Sequence, residues 1–345
     1  MRILVTGAAG FIGSHFVREL LADAYAGWAG AHVTALDKLT YAGNRDNLPA
    51  AHERLAFVHG DVCDRDLLAE LLPGHDAVVH FAAESHVDRS LEHAGAFFRT
   101  NVLGTQTLLD AVLDSDVERV VHVSTDEVYG SIEEGSWTEE CPLAPNSPYA
   151  ASKAGADLVA RAYWRTHGVD LSVTRCSNNY GPFQHPEKLI PRFVTNLLEG
   201  RRVPLYGDGR NVREWLHVDD HCRGVHLVLN HGQPGEVYHI GGGNAYTNLA
   251  LTEALLDLTG AGEEMVRRVP DRRGHDLRYS IDDSKIREQL GYAPRTDFAT
   301  GLAETVAWYR DNPDWWKAAA HGESPAPGEN PADGARHEDG ARHAV

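Results

Sequence analysis

Residues 1–21 read MRILVTGAAGFIGSHFVRELL, and the class of fold can be inferred from them. The apolar run before Thr6 is typical of a buried β-strand, and the residues after Gly13 follow helical periodicity. Between them, Gly7, Gly10 and Gly13 have the spacing Gly-x-x-Gly-x-x-Gly. Glycines with this spacing let the backbone approach a pyrophosphate that sits on the helix N-terminus. The stretch therefore predicts a dinucleotide-binding unit of strand, turn and helix.

The end of the second predicted strand indicates which dinucleotide binds. The apolar residues 33–36 lead directly into Asp37. An acidic residue there binds the adenosine ribose hydroxyls and repels a 2′-phosphate, which favours NAD over NADP. Lys38 beside it argues slightly for NADP. Taken together, the two residues predict NAD as the cofactor.

Strand and helix patterns then alternate, which predicts a Rossmann-type doubly wound parallel sheet. This α/β domain is expected to be joined to a smaller C-terminal α/β substrate-binding lobe. The predicted division is residues 1–178 plus about 212–243 for the cofactor domain, about 179–211 and 244–316 for the lobe, and 317–345 for a disordered tail rich in Ala, Gly, Pro, Glu and His. Three further expectations are a long helix at about 96–113, a strand near 214–218 that returns to the large domain, and a harmless loop at 25–31.

Residues with binding chemistry stand where the predicted strands end. Ligands of parallel α/β sheets lie beyond the carboxyl ends of the strands. We therefore expect one crevice to collect the residues at these strand exits, namely Gly7, Asp37, Asp61, Ala82, Ser124 and Cys176.

Two short stretches indicate the chemistry. Tyr149 and Lys153 are four residues apart on a predicted helix that has Ser147 as N-cap, so they share one face. The ammonium group is expected to lower the phenol pKa from its ordinary value of about 10. Upstream, Asp126 and Glu127 are adjacent carboxyls. Hydride transfer alone needs neither of them, whereas removal of water needs an acid and a second base.

Composition excludes several classes of function. The net charge of −18 disfavours nucleic acid and anionic membranes as partners. No apolar run approaches the roughly 20 residues of a membrane span, and the N-terminus enters a core strand without a signal peptide. Four cysteines without C-x-x-C spacing predict a reducing, cytoplasmic location. No H-E-x-x-H motif occurs, so no metal site is expected.

An acidic chain that binds a dianionic substrate must concentrate its cations locally. Lys188, Arg213 and the Arg272–His275 cluster are the candidates. Arg213 stands in a predicted strand beside Trp215, where an arginine without a role would be unfavourable. The Arg272–His275 cluster suits diphosphate binding.

Longer motifs now allow a resemblance to be stated. Residues 6–13 (TGAAGFIG), the Tyr149-x-x-x-Lys153 pair and residues 178–182 (NNYGP) resemble the extended short-chain dehydrogenase/reductase family of nucleotide-sugar enzymes. Residues 83–90, 125–127, 186–191 and 206–215 are similar to the 4,6-dehydratase branch of that family, and the resemblance covers about 1–312. Two departures are Ala8, where many relatives have Gly, and Arg273, where Pro is expected.

The resemblance implies a redox-neutral dehydration of a nucleotide-activated glucose. Tyr149, helped by Lys153, would take the C4 hydroxyl proton while hydride passes to NAD, and Thr125 would hold that oxygen. Glu127 would then remove the C5 proton and Asp126 would protonate the departing C6 hydroxyl. Hydride return to C6 would give a 4-keto-6-deoxy sugar.

The same resemblance assigns binding positions. Those expected to bind the cofactor are Gly7, Gly10, Phe11, Ile12, Gly13, Asp37, Lys38, Leu39, Thr40, Asp61, Val62, Phe81, Ala82, Ala83, Ser85, Thr100, Ser124, Tyr149, Lys153 and Asn179. Those expected to bind the substrate are Ser85, His86, Thr125, Asn178, Lys188, Leu189, Pro204, Tyr206, Arg213, Asn248, Arg272 and His275. The helices at about 96–113 and 148–167 are expected to form a four-helix homodimer interface.

Two other classes of function remain open. A nucleotide-sugar 4-epimerase or decarboxylase would share the cofactor motifs, but an epimerase should carry small or apolar residues in place of Asp126 and Glu127. A non-catalytic NAD-sensing or scaffold protein would be favoured if Tyr149 or Lys153 were missing, and both are present. The nucleotide base and the downstream pathway stay open.

Overall fold

The computed structural model describes residues 1–271 and 274–320. Its strands, in chain order, are β1 (Arg2–Thr6), β2 (His32–Asp37), β3 (Leu55–His59), β4 (Ala77–His80), β5 (Arg119–Thr125), β6 (Leu171–Cys176), β7 (Asn178–Tyr180), β8 (Val203–Tyr206), β9 (Val212–His217), β10 (Val237–Ile240), β11 (Asn244–Thr247) and β12 (Val266–Val269).

Helices separate most of these strands. They are α1 (Phe11–Leu21), α2 (Arg65–Leu71), α3 (Val87–Glu92), α4 (Ala94–Phe97), α5 (Gly104–Leu113), α6 (Pro148–His167), α7 (Leu189–Leu198), α8 (Val218–His231), α9 (Asn248–Thr259), α10 (Ser284–Leu290), α11 (Phe298–Asp311) and α12 (Pro313–Ala320). Short 3-10 turns occur at Arg45–Asn47, Asp126–Tyr129 and Glu263–Met265.

Seven parallel strands form the central sheet in the order β3-β2-β1-β4-β5-β6-β10. This confirms the predicted Rossmann-type fold. The strand order reverses between β1 and β4, and ligands of such sheets bind beyond the carboxyl ends at that reversal. Gly7 and Phe81 directly follow these two strands. The topology thus places the glycine turn at the binding crevice.

Side chains of the central strands alternate between two apolar layers. Ile3 and Val5 of β1 belong to the core on one face, whereas Leu4 belongs to the core on the other. All three are fully buried. This alternation follows from the two-residue repeat of a strand, and helices cover both faces of a parallel sheet. A third core, around Phe193, Leu255 and the residues of α11, lies in the C-terminal part.

The strand expected near 214–218 does not return to the large sheet. It forms as β9, which pairs in parallel with β7 and antiparallel with β11 in a separate three-stranded sheet. The place beside β6 in the large sheet is taken by β10 instead. The helix that follows, α8, does pack against β5 and β6 as expected.

The long helix expected at about 96–113 is interrupted by a π-helical segment at Phe98–Leu103. The wider turn presents Asn101 to the loop after β4, where its side chain accepts from Glu84 N at 2.8 Å and donates to Glu84 O at 3.1 Å. It also donates to Ser152 Oγ at 2.8 Å. Such bulges are frequent at functional sites, and this one ties the crevice loop to α6.

The segment 25–31, expected to be a harmless loop, packs against the large domain. Tyr25 and Trp28 are almost fully buried. The Trp28 indole donates to Asn230 Oδ1 at 2.6 Å, and the Tyr25 ring stacks on His226 at 4.6 Å. Both partners lie on α8, so this segment holds α8 against the β1–α1 unit.

The predicted tail begins too early. Residues 317–320 complete α12, whose Trp316 is buried and donates to Tyr309 O at 2.8 Å. Two adjacent tryptophans supply the apolar contacts that the Ala-rich composition lacks. The rest of the predicted tail, 321–345, lies outside the described residues. No helix in the described part of the chain combines the length and apolarity needed to cross a membrane.

Candidate active site

Gly7 and Gly13 shape the turn after β1. Gly7 has a φ of +66°, and a Cβ there would lie 2.6 Å from Ala82 N. A Cβ on Gly13 would lie 2.2 Å from Gly7 O. Side chains are therefore excluded at both positions. Gly10, the N-cap of α1, has no side chain, so no side-chain cap occupies the first amides of the helix. Those amides can bind an anionic group.

Asp37 stabilises this turn as well as closing β2. Its carboxylate accepts from Ala9 N at 2.9 Å and from Leu39 N at 2.7 Å. Burial raises its pKa, and these backbone hydrogen bonds oppose the rise. Lys38 forms a salt bridge with Asp61 at 2.8 Å, so its charge is compensated within the protein. This pairing weakens the argument that Lys38 favours NADP.

The helix that carries Tyr149 and Lys153 has the predicted ends. Ser147 accepts from Ala150 N as N-cap, Pro148 begins the helix, and Gly168 follows it in the left-handed conformation. Tyr149 and Lys153 are both buried.

Lys153 is not among the groups that most strongly influence the pKa of the Tyr149 phenol. The Lys153 ammonium donates to Val123 O at 2.7 Å. Burial raises the pKa of Tyr149 well above its ordinary value, and the Glu127 carboxylate raises it further, while a hydrogen bond with Thr125 lowers it. The β5 carbonyl binds the ammonium in this structure, and the lowering of the Tyr149 pKa by Lys153 stays a prediction.

The two adjacent carboxyls occupy different environments. Thr125, at the end of β5, accepts from Glu127 N at 3.2 Å and donates to Asp126 Oδ1 at 3.3 Å. Burial raises the pKa of Asp126 well above its ordinary range, and Glu127 and Glu214 raise it further. Asp126 Oδ2 is buried without a hydrogen-bond partner among the described residues. Burial therefore favours the protonated form of Asp126, which is the form that can donate a proton.

One cleft at the carboxyl ends of the strands collects most of the predicted residues. Of the predicted cofactor positions, all but Leu39 line it. Leu39 has a φ of +53° and packs against the apolar core, so it contributes its backbone amide to Asp37 instead. Of the substrate positions, Ser85, Thr125, Asn178 and Lys188 line the same cleft.

Sequence reasoning missed several residues that line the cleft. These are Leu36, Tyr41, Ala42, Gly43, Gly60, Glu84, Val123, Ser177, Gln184, His185 and Glu187. Tyr41 directly follows the predicted run ending at Thr40, and Glu84 lies inside the motif at 83–90. Extending each motif by a few residues would have found them.

The remaining substrate positions lie outside the cleft lining. Arg213 of β9 donates to Asp276 O at 2.9 Å and to Val212 O at 2.7 Å, with its guanidinium 4.3 Å from the Tyr279 ring centre. The positive charge of Arg213 acts to lower the pKa of Asp126. Arg213 is thus a neighbour of the carboxyl pair, which extends the site beyond Glu127.

The other predicted substrate positions belong to separate segments of the chain. Asn248 N donates to Asn211 O at 2.9 Å, and the Asn211 side chain donates to Asp276 O at 3.2 Å. Tyr206 of β8 faces His275, with ring centres 6.2 Å apart. Pro204 is also in β8. Arg272 lies outside the described residues. We call the set Arg213, Asn248, Tyr206 and His275 the lobe cluster.

The loop before α7 closes the cleft on the lobe side. Lys188 donates to Ser85 O at 2.6 Å, and Arg89 pairs with Glu187. His86 is 3.5 Å from Glu187 O. Burial lowers the pKa of His86 and of His185 to about 4, so both are neutral at pH 7. Leu189 begins α7 and packs into the lobe core.

One group of possible metal ligands occurs in the described part of the chain, although none was expected. Atoms of His15, Glu19 and Asp219, on α1 and α8, lie within 4.8 Å of one another. His15 and Asp219 are 3.4 Å apart, and Arg223 lies 3.4 Å from the other Asp219 oxygen. The arginine already compensates the carboxylate, so we interpret these contacts as an ion-pair group between the two helices.

The chain is similar to known proteins over most of its length. The family model for GDP-mannose 4,6 dehydratase matches residues 4–305. A dTDP-glucose 4,6-dehydratase of Streptomyces niveus is 61% identical over 319 residues, which are 92% of this chain and 95% of the relative.

Solved structures are also similar to this chain over most of its length. A dTDP-glucose 4,6-dehydratase from Streptomyces venezuelae with NAD bound has a TM-score of 0.92 and 66% identity, covering 92% of this chain and 100% of the other. A UDP-glucose 4-epimerase from Thermotoga maritima has a TM-score of 0.83 and 31% identity, covering 90% and 99%.

Proposed function

The chain belongs to the GDP-mannose 4,6 dehydratase family, and from that premise we propose that it is an NAD-dependent dTDP-glucose 4,6-dehydratase, a hydro-lyase of deoxysugar biosynthesis. Relatives of that name are 61% and 66% identical to it, and the latter was solved with NAD. The epimerase is far less similar, at 31% identity.

The observation that carries the proposal is the buried Asp126 beside Glu127, lining the same cleft as Tyr149 and Lys153, with burial raising the pKa of Asp126. A 4-epimerase moves hydride away from C4 and back to C4, and it eliminates nothing. A neutral acid next to a second carboxylate suits the loss of water, because the departing hydroxyl needs a proton while a carbon acid loses one.

The residues at the first strand exits fit a dinucleotide. The glycine turn leaves no room for side chains, the first amides of α1 carry no side-chain cap, and Asp37 faces the cleft. When bound, NAD supplies an acceptor for hydride and later returns it. Asp37 would bind the adenosine ribose, and the α1 amides would bind the pyrophosphate.

The protein's own groups divide the proton transfers. Tyr149 takes the proton of the C4 hydroxyl, whose oxygen Thr125 holds. The C4 ketone acidifies the C5 hydrogen, which Glu127 removes. Asp126 then protonates the C6 hydroxyl as it leaves. Arg213, whose charge acts on Asp126, would bind the diphosphate, and the other residues of the lobe cluster match substrate positions of the family.

Isotope tracing tests the reaction. dTDP-glucose carrying deuterium at C4 is incubated with the protein, and the product is examined by NMR and by its 4-keto chromophore in base. We expect the label at C6 and solvent hydrogen at C5, without added reductant. Label that returns to C4 would establish an epimerase instead. UDP-glucose assayed in parallel tests the choice of nucleotide.

We also propose a homodimer. Phe98, Leu103 and Leu158 are large apolar side chains with 44–56% of their surface exposed. They lie on the π-helical segment and on α6, which pack side by side. Two such helix pairs can form a four-helix interface. Light scattering should give twice the chain mass, and Leu158→Glu should give monomers. Leu277→Glu, at an exposed leucine outside these helices, is the matched control.

The two-domain division is retained as a proposal with one change. The cofactor domain comprises residues 1–178 and about 212–243, and the lobe comprises about 179–211 and 244–316, but β9 lies in the small sheet between them. We further propose a cytoplasmic location, which the four free thiols support.

A further inference from the structure

The last described helix reaches back to the glycine turn. The Trp315 indole of α12 donates to Asn47 Oδ1 at 2.9 Å, across 268 positions of sequence. Asn47 is buried, with 3% of its surface exposed. Its side-chain amide donates to Ala9 O at 2.8 Å. Ala9 is inside the glycine turn, and its N–H donates to Asp37. A continuous chain of hydrogen bonds thus connects α12 to the dinucleotide-binding backbone.

The Trp315 hydrogen bond fixes which way the Asn47 amide points. An indole N–H only donates, so it requires the oxygen of the amide. The amide nitrogen is thereby directed at Ala9 O. That carbonyl also accepts from Asn44 N at 3.0 Å. Without Trp315, the amide loses the partner that selects this orientation, and the Ala9 end of the turn becomes less constrained.

Trp315 also contacts a second segment beside the cleft, through Phe183. Its ring lies 5.6 Å from the ring of Phe183, edge to face. Arg18 of α1 lies 4.3 Å over the same Phe183 ring and donates to Asn47 O at 2.6 Å. Phe183 has a φ of +68°, unusual for a residue with a side chain. It directly precedes Gln184, which lines the cleft. Trp315 therefore connects Asn47, which binds the glycine turn, with the segment that leads into Gln184.

We propose that Trp315 is a positioning residue for the dinucleotide, acting through Asn47 to hold the glycine turn closed around bound NAD. The inference rests on the proposed use of NAD. It assigns to α12, the element that sequence reasoning had partly placed in a disordered tail, a role in cofactor retention. Because the reaction regenerates NAD in each cycle, slow release of the cofactor is of direct use to the enzyme.

The test uses full-length variants and measures bound dinucleotide. Trp315→Phe keeps the ring and removes the indole donor, and Asn47→Ala removes the bond to Ala9. Trp316→Phe is the matched control. It removes the hydrogen bond that the indole of Trp316, on the same helix, donates to Tyr309 O at 2.8 Å inside the lobe. NAD content after gel filtration and the NAD dissociation rate are determined, with melting temperature recorded for each variant.

We expect Trp315→Phe and Asn47→Ala each to release NAD roughly 3- to 10-fold faster, the range of one net hydrogen bond. The double variant should be no worse than the worse single one, since both act through one contact chain. Turnover at saturating NAD should return to the wild-type value. Trp316→Phe should release NAD at the wild-type rate.

Two results would overturn the proposal. Trp315→Phe could release NAD at the wild-type rate, or Trp316→Phe could accelerate release equally, which would make the effect a general loss of stability. Neither readout involves the sugar. If wild-type protein retained NAD but did not dehydrate dTDP-glucose, the proposed function would fail while this inference would stand.

Discussion

The cofactor cleft and the lobe cluster are built in different ways. The cleft takes its residues from strand ends and the turns that follow, so short runs of sequence such as 6–13 and 124–127 supply whole walls. The lobe cluster takes Tyr206, Arg213, Asn248 and His275 from four separate segments. A parallel sheet brings strand ends together by its topology alone, whereas the cluster depends on contacts between loops and a small sheet.

The two regions also treat charge differently. In the cleft, burial raises the pKa of Asp126 and so favours the protonated form that can donate a proton. In the lobe cluster, the Arg213 guanidinium donates to the carbonyls of Val212 and Asp276 and lies over the Tyr279 ring. With the proposed function, the catalytic groups are concentrated in the cleft, and we expect the substrate charge to be bound by the lobe cluster.

The largest effect on activity should come from a substitution in the cleft. Glu127→Gln should lower product formation about 10²- to 10⁴-fold, because no base removes the C5 proton. C4 oxidation should continue, since the variant also loses a charge that raises the pKa of Tyr149. Enzyme-bound NADH should therefore accumulate, visible by its absorbance.

Two variants control that experiment. Tyr149→Phe should block the first oxidation, so that no NADH appears. Glu133→Gln, at an exposed glutamate, should behave as wild type. Near-normal product from Glu127→Gln would show that the carboxyl pair is structural.

A smaller effect should come from the lobe. Arg213→Gln should raise the KM for dTDP-glucose about 10- to 100-fold, the range of a charged hydrogen bond, while NADH formed at saturating substrate changes less. Arg210→Gln, three residues earlier and exposed, should leave KM unchanged. An equal KM in both variants would show that Arg213 does not bind the substrate. Steady-state kinetics provide the measurement.

The pH dependence of stability tests the burial of Asp126. Its pKa is raised in the folded protein, so the folded state holds a proton that the unfolded state has lost. Stability attributable to this group is therefore present below the ordinary Asp pKa of about 4 and decreases as pH rises toward the folded value. The Asp126→Asn variant has no carboxyl at this position, so its stability does not show this decrease.

Urea unfolding over a range of pH provides the measurement for Asp126. The stability of Asp126→Asn relative to wild type should increase as pH rises. A difference that stays constant with pH would show that the carboxyl titrates normally in the folded protein. Asp110→Asn, at a carboxyl outside the cleft on α5, serves as the reference substitution.

The smallest effect should come from Lys38. Its salt bridge with Asp61 is half exposed, and such pairs contribute little. Lys38→Gln should change the preference for NAD over NADP by less than about fivefold, measured by reconstitution of cofactor-free protein. Asp37→Asn should increase NADP binding more. A large loss of NAD binding in Lys38→Gln would show that this lysine contacts the cofactor.

Much of the cleft could be predicted from sequence because its signals are local. Strand–turn–helix order, the four-residue spacing of Tyr149 and Lys153, and the run from Thr125 to Glu127 each involve a few neighbouring residues. Secondary structure converts such spacing directly into position. The parallel sheet confirms the fold, and the comparisons confirm the family.

Contacts between segments far apart in sequence could be determined only from the tertiary structure. Lys153 bonds to Val123 O, β10 takes the sheet edge expected for β9, and Trp315 reaches Asn47. In each case several partners satisfied the local pattern equally well, and packing of distant segments selected one. Sequence periodicity determines which face of an element is buried, but it carries no information about which donor meets which acceptor once those faces are in contact.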